Sequence, residues 1–150
     1  MNEPILGFFD KYRFLSNFHE QQGVTIWIDG LELENRVPCK SVENAFQASK
    51  TLILGERFIV AYSETPGIAK KLGHKVTLRS DWETIKNDVM LELLTQKFSH
   101  LYYRDLLLAT GDAYLEETNT WGDCWFGVCN GVGQNWLGKM LMQIREALRD

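Results

Sequence analysis

Cysteine and histidine are scarce in this chain, three of each in 150 residues, and the scarcity removes whole classes of function. An odd set of cysteines, Cys39, Cys124 and Cys129, cannot make a closed disulfide framework and reads as free thiols in a reducing compartment, the cytoplasm. Four residues separate Cys124 from Cys129, and His19, His74 and His100 are scattered. That spacing makes no zinc site, and no metal or cofactor is expected. Basic residues are outnumbered, 16 against 20 acidic ones, for a net charge of -4. Broad electrostatic binding to DNA or to an anionic membrane is thereby excluded, and a nucleic-acid ligand would need a small local patch. The opening MNEPILGFFD lacks a basic stretch leading into an apolar run, and nowhere do about 18 apolar residues follow one another, so neither a signal peptide nor a membrane span is expected.

What is present describes an ordinary globule, 45% hydrophobic and 24% charged. With no repeat, linker or low-complexity run, residues 1–150 read as one domain that buries close to ~70% of its unfolded surface. VTIWIDGLELENRV, residues 24–37, alternates apolar and polar positions around Asp29-Gly30, predicting a β-hairpin with a two-residue turn. Helical spacing follows: Val42, Ala45, Phe46, Ser49 and Ile53 predict a helix that Gly55 stops. Thr65-Pro66 opens another, running to Gly73. Ser80-x-x-Glu83 forms a capping box ahead of Ile85, Val89, Leu93 and Phe98, and Leu137, Leu141, Ile144 and Leu148 stripe the last helix. The fold class is therefore α+β, mostly helical with a small β-hairpin or sheet.

Residues 120–138, TWGDCWFGVCNGVGQNWLG, hold five of the twelve glycines and three of the five tryptophans. Such a glycine density is not a packing feature, because glycine loses the most backbone entropy on folding. The segment links a short strand around Tyr114 to Glu116 with the helix that begins near Asn135, a geometry that favours phosphate at the helix N-terminus. Gly131-Val-Gly133 is not a dinucleotide fingerprint: the next glycine is Gly138, and too little chain follows for the acidic ribose ligand about 20 residues on. A P-loop is excluded too, since Gln134-Asn135 follows Gly133.

A second concentration of chemistry is SVENAFQASK, residues 41–50. On a helix capped by Ser41, the residues Glu43, Gln47 and Lys50 return to one face at ~100° per residue. Glu43 and Lys50 would lie about 10 Å apart along the axis at ~1.5 Å per residue, leaving room for a substrate between them. The helix dipole favours an ionised Glu43, which suits it to act as a base or cation stabiliser.

Taken in order, Phe14-Leu-Ser-Asn-Phe18, Ser41-Val-Glu43 with Phe46-Gln-Ala48 and Lys50, Leu78-Arg79 with Trp82, Trp121-Gly-Asp123, and Gly133-x-Asn135-x-Leu137-Gly138 with Leu141-Met142 and Ile144-Arg145 resemble the NADAR family, which includes the YbiA-like N-glycosidases. The resemblance runs over nearly the whole chain. It implies the NADAR α+β fold and an enzyme that hydrolyses the bond from ribose C1 to the nitrogen of a nucleobase-type amine. Two substrate groups follow from the family: ADP-ribose on the guanine amino group of a nucleotide or nucleic acid, and ribosylated small molecules, the phosphoribosylamino-pyrimidine intermediates of riboflavin synthesis. A reader module that binds NAD or ADP-ribose without cleaving it is the non-enzymatic alternative.

The resemblance implies that Glu43 and Asp123 are the carboxylates for an oxocarbenium-like centre and its protons. Lys50 would hold a phosphate or hydroxyl, or attack C1 as a neutral amine. Trp121 and Gly122 would meet the base and sugar, while Asn17, Phe18 and Gln47 would line the site. Arg79 and Asn135 would hold phosphate. Several positions depart from the YbiA-like pattern: Val37 and Asn44 replace a tryptophan and a histidine, Pro38 lies further from Glu43, Trp136 replaces an arginine, and the step from Glu116 to Trp121 is shorter. These departures favour ADP-ribosyl guanine over the riboflavin intermediates. Cys124, Trp125 and Cys129 have no assigned role.

Overall fold

The structure of the protein, a computed structural model, describes residues 2–20, 23–33 and 35–150. The chain forms two compact units, one of Met1–Ser16 with Phe98–Asp150 and one of Asn17–Lys97. In chain order, β1 (Ile5–Leu6) precedes a 3₁₀ turn over Asp10–Leu15; β2 (Ile26–Ile28) and β3 (Val37–Cys39) lead to α1 (Val42–Ala48), α2 (Leu54–Ala61), α3 (Pro66–Gly73) and α4 (Trp82–Phe98). Then come α5 (Leu101–Leu108), β4 (Leu115–Glu116), β5 (Thr118–Asn119), β6 (Val128–Cys129) and α6 (Trp136–Leu148). The architecture is α+β, with helices predominating over three two-stranded sheets among the described residues. Among the described residues no helix is long and apolar enough to cross a membrane.

In the unit of residues 17–97, β2 and β3 pair antiparallel with Ile26 opposite Cys39 and Ile28 opposite Val37. A hairpin is present, but its turn differs from the expected two-residue Asp29-Gly30. The left-handed backbone falls on Leu31, φ 59, stabilised by its N–H donating to Asp29 Oδ1 at 2.8 Å. Leu33 N–H then bonds Gly30 O at 3.1 Å, so the loop widens and the return strand starts at Val37. The expected second strand also includes Glu34, which lies outside the described residues.

Ser41 caps α1 by accepting from Asn44 N–H at 3.0 Å. Val42, Ala45 and Ala48 are fully enclosed as α1 packs on α2 and α3, and Phe46 meets Trp82 with ring centroids 5.0 Å apart. The helix ends at Ala48, well before Gly55, which instead lies one residue inside α2. The early stop has a cause in two arginines. Arg57 donates to Thr51 O at 2.8 Å and to Ser49 O at 3.5 Å, and Arg79 reaches Ser49 O at 3.4 Å, so carbonyls after the last turn are satisfied by guanidinium groups rather than by more helix.

Two helix starts test local capping. Thr65 Oγ1 accepts from Ile68 N–H at 3.1 Å with Pro66 at the first helical position, as its sequence predicts. In α4 the first helical residue is Trp82, and Asp81 O accepts from Ile85 N–H at 3.1 Å, so the start falls one residue past a Ser80 cap. Asp81 is at hand because Arg79 orients it.

In the other unit both sheets are parallel: β1 with β4, Ile5 opposite Leu115, and β5 with β6, Asn119 opposite Cys129. Helix α6 lies against β4 and α5 through Leu137, Met140, Leu141 and Ile144, all buried, which matches the predicted stripe apart from partly exposed Leu148.

Candidate active site

In the unit of residues 17–97, polar groups converge on α1. Glu43 is only 6% exposed although it is a carboxylate. Its backbone N–H, one of the helix's unpaired donors, is taken by Asn17 O at 3.0 Å, and its Oε1 accepts from Gln47 Nε2 at 2.7 Å. Asn17 turns its own amide nitrogen to Met90 Sδ at 3.4 Å. A carboxylate and a thioether both only accept, so each amide must present nitrogen to them and oxygen elsewhere. Asn17 Oδ1 and Gln47 Oε1 are consequently buried with no hydrogen-bond partner among the described residues. An unmatched buried acceptor is destabilising, and the one on Asn17 marks a place for a donor the chain itself does not provide.

Lys50 stands two residues beyond the end of α1, its N–H bonded to Gln47 O at 3.3 Å. It is therefore in the tightened turn after the helix rather than on the helical stripe expected from its spacing. Burial pushes its ammonium below the ordinary lysine range; Glu43 pulls it back up, Lys70 pushes it further down, and Glu83 and Lys86 act in opposite directions more weakly. Glu43 and Lys50 are thus electrostatically linked, and desolvation gives Lys50 more neutral amine than a surface lysine has. Phe18 carries Lys70 Nζ over its ring at 5.7 Å, a cation–π distance.

Arg79 is tied down. Its Nε and Nη2 donate to Asp81 at 2.6 and 3.1 Å, and its backbone N–H bonds Lys50 O at 2.8 Å. The contacts make it the anchor of the turn that carries Lys50. Arg57, which the sequence did not single out, does the same from a fully buried position. A lysine also escaped notice: Lys97 on α4 is 0% exposed, and burial lowers its pKa to about 7. Nothing in helical spacing distinguishes it from a solvated lysine.

The glycine-rich segment belongs to the other unit. Asp123 is held from both sides: its N–H bonds Asn119 Oδ1 at 3.0 Å, and its Oδ1 accepts from Trp125 N–H and Phe126 N–H at 3.1 and 3.0 Å. Gly122 before it adopts φ 89, a left-handed conformation open to glycine at little penalty. Trp121 is 59% exposed. Trp125 tilts against Trp136 with centroids 6.3 Å apart.

The N-terminus of α6 is not the open phosphate cradle expected from sequence. Trp136 N–H bonds Trp125 O at 3.1 Å, Leu137 N–H bonds Phe126 O at 2.9 Å, and Asn135 N–H bonds Gly127 O at 3.2 Å. The helix's unpaired donors are met by the loop that runs beside it. Gly133 makes this possible, because a Cβ there would strike the Gly127 carbonyl. Asn135 is buried with a left-handed backbone, φ 54; its Oδ1 accepts from Glu117 N–H at 3.0 Å and its Nδ2 donates to Leu115 O at 2.9 Å. Its carboxamide thus joins β4 to α6 instead of facing outward to an anion. Among the described residues no group of three or more His, Cys, Asp or Glu could hold a metal ion, and all three cysteines are free thiols.

Comparison with known proteins agrees with this architecture. Residues 7–149 match the family model described as the NADAR domain. The N-glycosidase YbiA of Shigella flexneri serotype 5b is 36% identical over 154 residues, covering 99% of this chain and 91% of that protein. The chloroplastic riboflavin biosynthesis protein PYRR of Zea mays is 35% identical over 83 residues, which is 55% of this chain and 13% of that much longer one. The NMR structure of E. coli YbiA superposes with a TM-score of 0.82 at 33% identity, covering 99% of this chain and 86% of the other. Sequence and fold lead to one conclusion: the chain belongs to the NADAR family and is a YbiA-like N-glycosidase, a hydrolase of N-glycosyl bonds.

Proposed function

We propose that the chain removes ADP-ribose from the guanine amino group in nucleic acid, with Glu43 and Lys50 acting at ribose C1. The observation that carries this is the buried Glu43 carboxylate, held by Gln47 and electrostatically linked to a Lys50 whose ammonium is destabilised by burial. Glu43, kept ionised, stabilises positive charge as the C1–N bond breaks. As the C1–O4′ bond opens, the exocyclic N–H proton passes to O4′ and leaves an imine at C1. Neutral Lys50 adds to C1, its two amine protons pass to the guanine nitrogen, the guanine amine leaves as the C1–N bond breaks, and water hydrolyses the resulting lysine imine to free the sugar aldehyde and the lysine amine. Asn17 Oδ1 accepts a sugar hydroxyl. In the other unit the exposed Trp121 offers a stacking face, and Asp123, held from both sides, anchors that loop.

A second reading, cleavage of phosphoribosylamino-pyrimidine intermediates, has the match to the maize riboflavin biosynthesis protein in its favour. Both substrates contain the same reacting unit, so turnover separates them. Incubation with an oligonucleotide bearing ADP-ribosyl guanine is expected to release ADP-ribose, with much slower release of ribose 5-phosphate from the pyrimidine intermediate. The reverse order establishes the second reading. Turnover of neither, with tight binding of ADP-ribose, overturns both in favour of a reader module.

A further inference from the structure

Gly73 closes α3, and the usual reason for a glycine at a helix end does not apply to it. Such glycines adopt the left-handed conformation, but Gly73 is not among the positive-φ residues, and the cap after it, His74, is right-handed. A helical glycine without that role is disfavoured relative to alanine. The missing side chain is what matters here. A Cβ at Gly73 would overlap Gln47 Oε1 and come within 2.8 Å of Gln47 Cδ and 3.0 Å of its Cβ. The carboxamide of Gln47 therefore occupies the space of the absent methyl, and from that seat its Nε2 reaches Glu43 Oε1 at 2.7 Å.

We infer that Gly73 is a positioning residue for the reaction: its bare backbone seats Gln47, and Gln47 holds the Glu43 carboxylate in place. This rests on the reading of Glu43 as the carboxylate that stabilises charge at C1. Gln47 thereby becomes a support for the carboxylate rather than a contact for substrate. α1 and α3 pack against each other, so a methyl at Gly73 must displace the carboxamide from this seat. Losing a hydrogen bond to the charged form raises a carboxyl pKa.

The test uses G73A, Q47A and the double variant, read by carbon NMR titration of the Glu43 carboxyl and by steady-state kinetics on the ribosylated guanine oligonucleotide. In G73A the Glu43 titration is expected to move up by about one unit. Its kcat falls about tenfold with KM little changed, and the acid limb of the pH profile moves up in parallel. In the Q47A background, G73A adds no further loss, because the group it displaces is gone. An unchanged titration and kcat in G73A, or an equal loss with and without Gln47, overturns the inference. Should G73A fail to fold, the double variant, relieved of the overlap with the carboxamide and left only with the 3.0 Å approach to the Cβ at position 47, must fold and match Q47A; if it does not, Gly73 serves packing alone. The titration needs no substrate. A wild-type protein that cleaves neither ribosyl compound therefore refutes the catalytic reading of Glu43, and the titration separately decides whether Gly73 seats Gln47.

Discussion

Residues 41–50 and residues 120–138 are the two chemically dense stretches of the chain, and the fold treats them in opposite ways. Along α1 it hides polar groups: Glu43, Asn44 and Gln47 are all buried. Around the glycine-rich loop it displays apolar ones: Trp121, Trp125 and Val132 are exposed. Each arrangement is unfavourable for folding alone, the first through desolvation and the second through wetted aromatic surface. Asn44 shows what a purely structural burial looks like. Its carboxamide is satisfied by Ser41 and by the carbonyl of Ser63 at 3.2 Å, whereas Asn17 and Gln47 each keep an unmatched oxygen. The lesson is that an unmet bond, rather than burial or exposure, separates the chemistry of a site from the scaffold.

The strongest break of this comparison is Glu43→Gln. The change keeps shape and still offers an amide oxygen to which Gln47 Nε2 can donate, so the thermal midpoint should move by only a few degrees while kcat falls on the order of 10³-fold, as for loss of a charge-stabilising group. Retained activity would return the buried carboxylate to a scaffold role. Next comes Lys50. Borohydride added during turnover should reduce a lysine imine and leave a ribose-derived mass on Lys50, and Lys50→Arg, which keeps charge but lacks a nucleophilic amine, should abolish the adduct and lower kcat about 10²-fold. The sign of the pH dependence follows from the burial of Lys50. Its pKa is below that of an ordinary lysine, so the neutral amine gains population at lower pH than a surface lysine would allow, and activity rises with pH through that region. An arginine variant should lose this limb.

The exposed stretch is tested by Trp121→Ala. If the indole stacks on a base, kcat/KM on the oligonucleotide should drop about tenfold, the lower end of one lost stacking contact, and stability should hardly change because the ring is largely in solvent. Trp121→Phe should recover most of the loss. A variant that destabilises the protein without changing kcat/KM would show the loop to be scaffold.

How much of this was legible in the sequence depends on how far each cause lies along the chain. Thr65-Pro66 is a local signal, read within four residues, and α3 starts where it should. The length of α1 is set by Arg57 and Arg79, whose reach back to Ser49 no window of helical spacing contains. The closed N-terminus of α6 has the same origin, since its donors are met by carbonyls of residues 125–127 across a glycine-rich turn. Glu43 and Gln47 were visible as polar positions of α1, and Lys50 by its spacing from them, although it lies in the turn after the helix. Asn17 was visible only through the resemblance, because an asparagine before a helix ordinarily reads as a turn or a cap.

Lys97 supplies the control for the whole comparison, since it is a buried charge outside both stretches. Burial alone lowers its pKa, to about 7 against 10.5 for the free side chain. The charged form is disfavoured in the folded state, so between about 7 and 10.5 the unfolded chain binds more protons and stability rises with pH across that window. Lys97→Met removes the titrating group while keeping an unbranched side chain, and should flatten this slope. If kcat is unchanged in that variant, a buried charge is by itself no sign of catalysis. A loss of kcat at constant KM would instead extend the reactive region along α4.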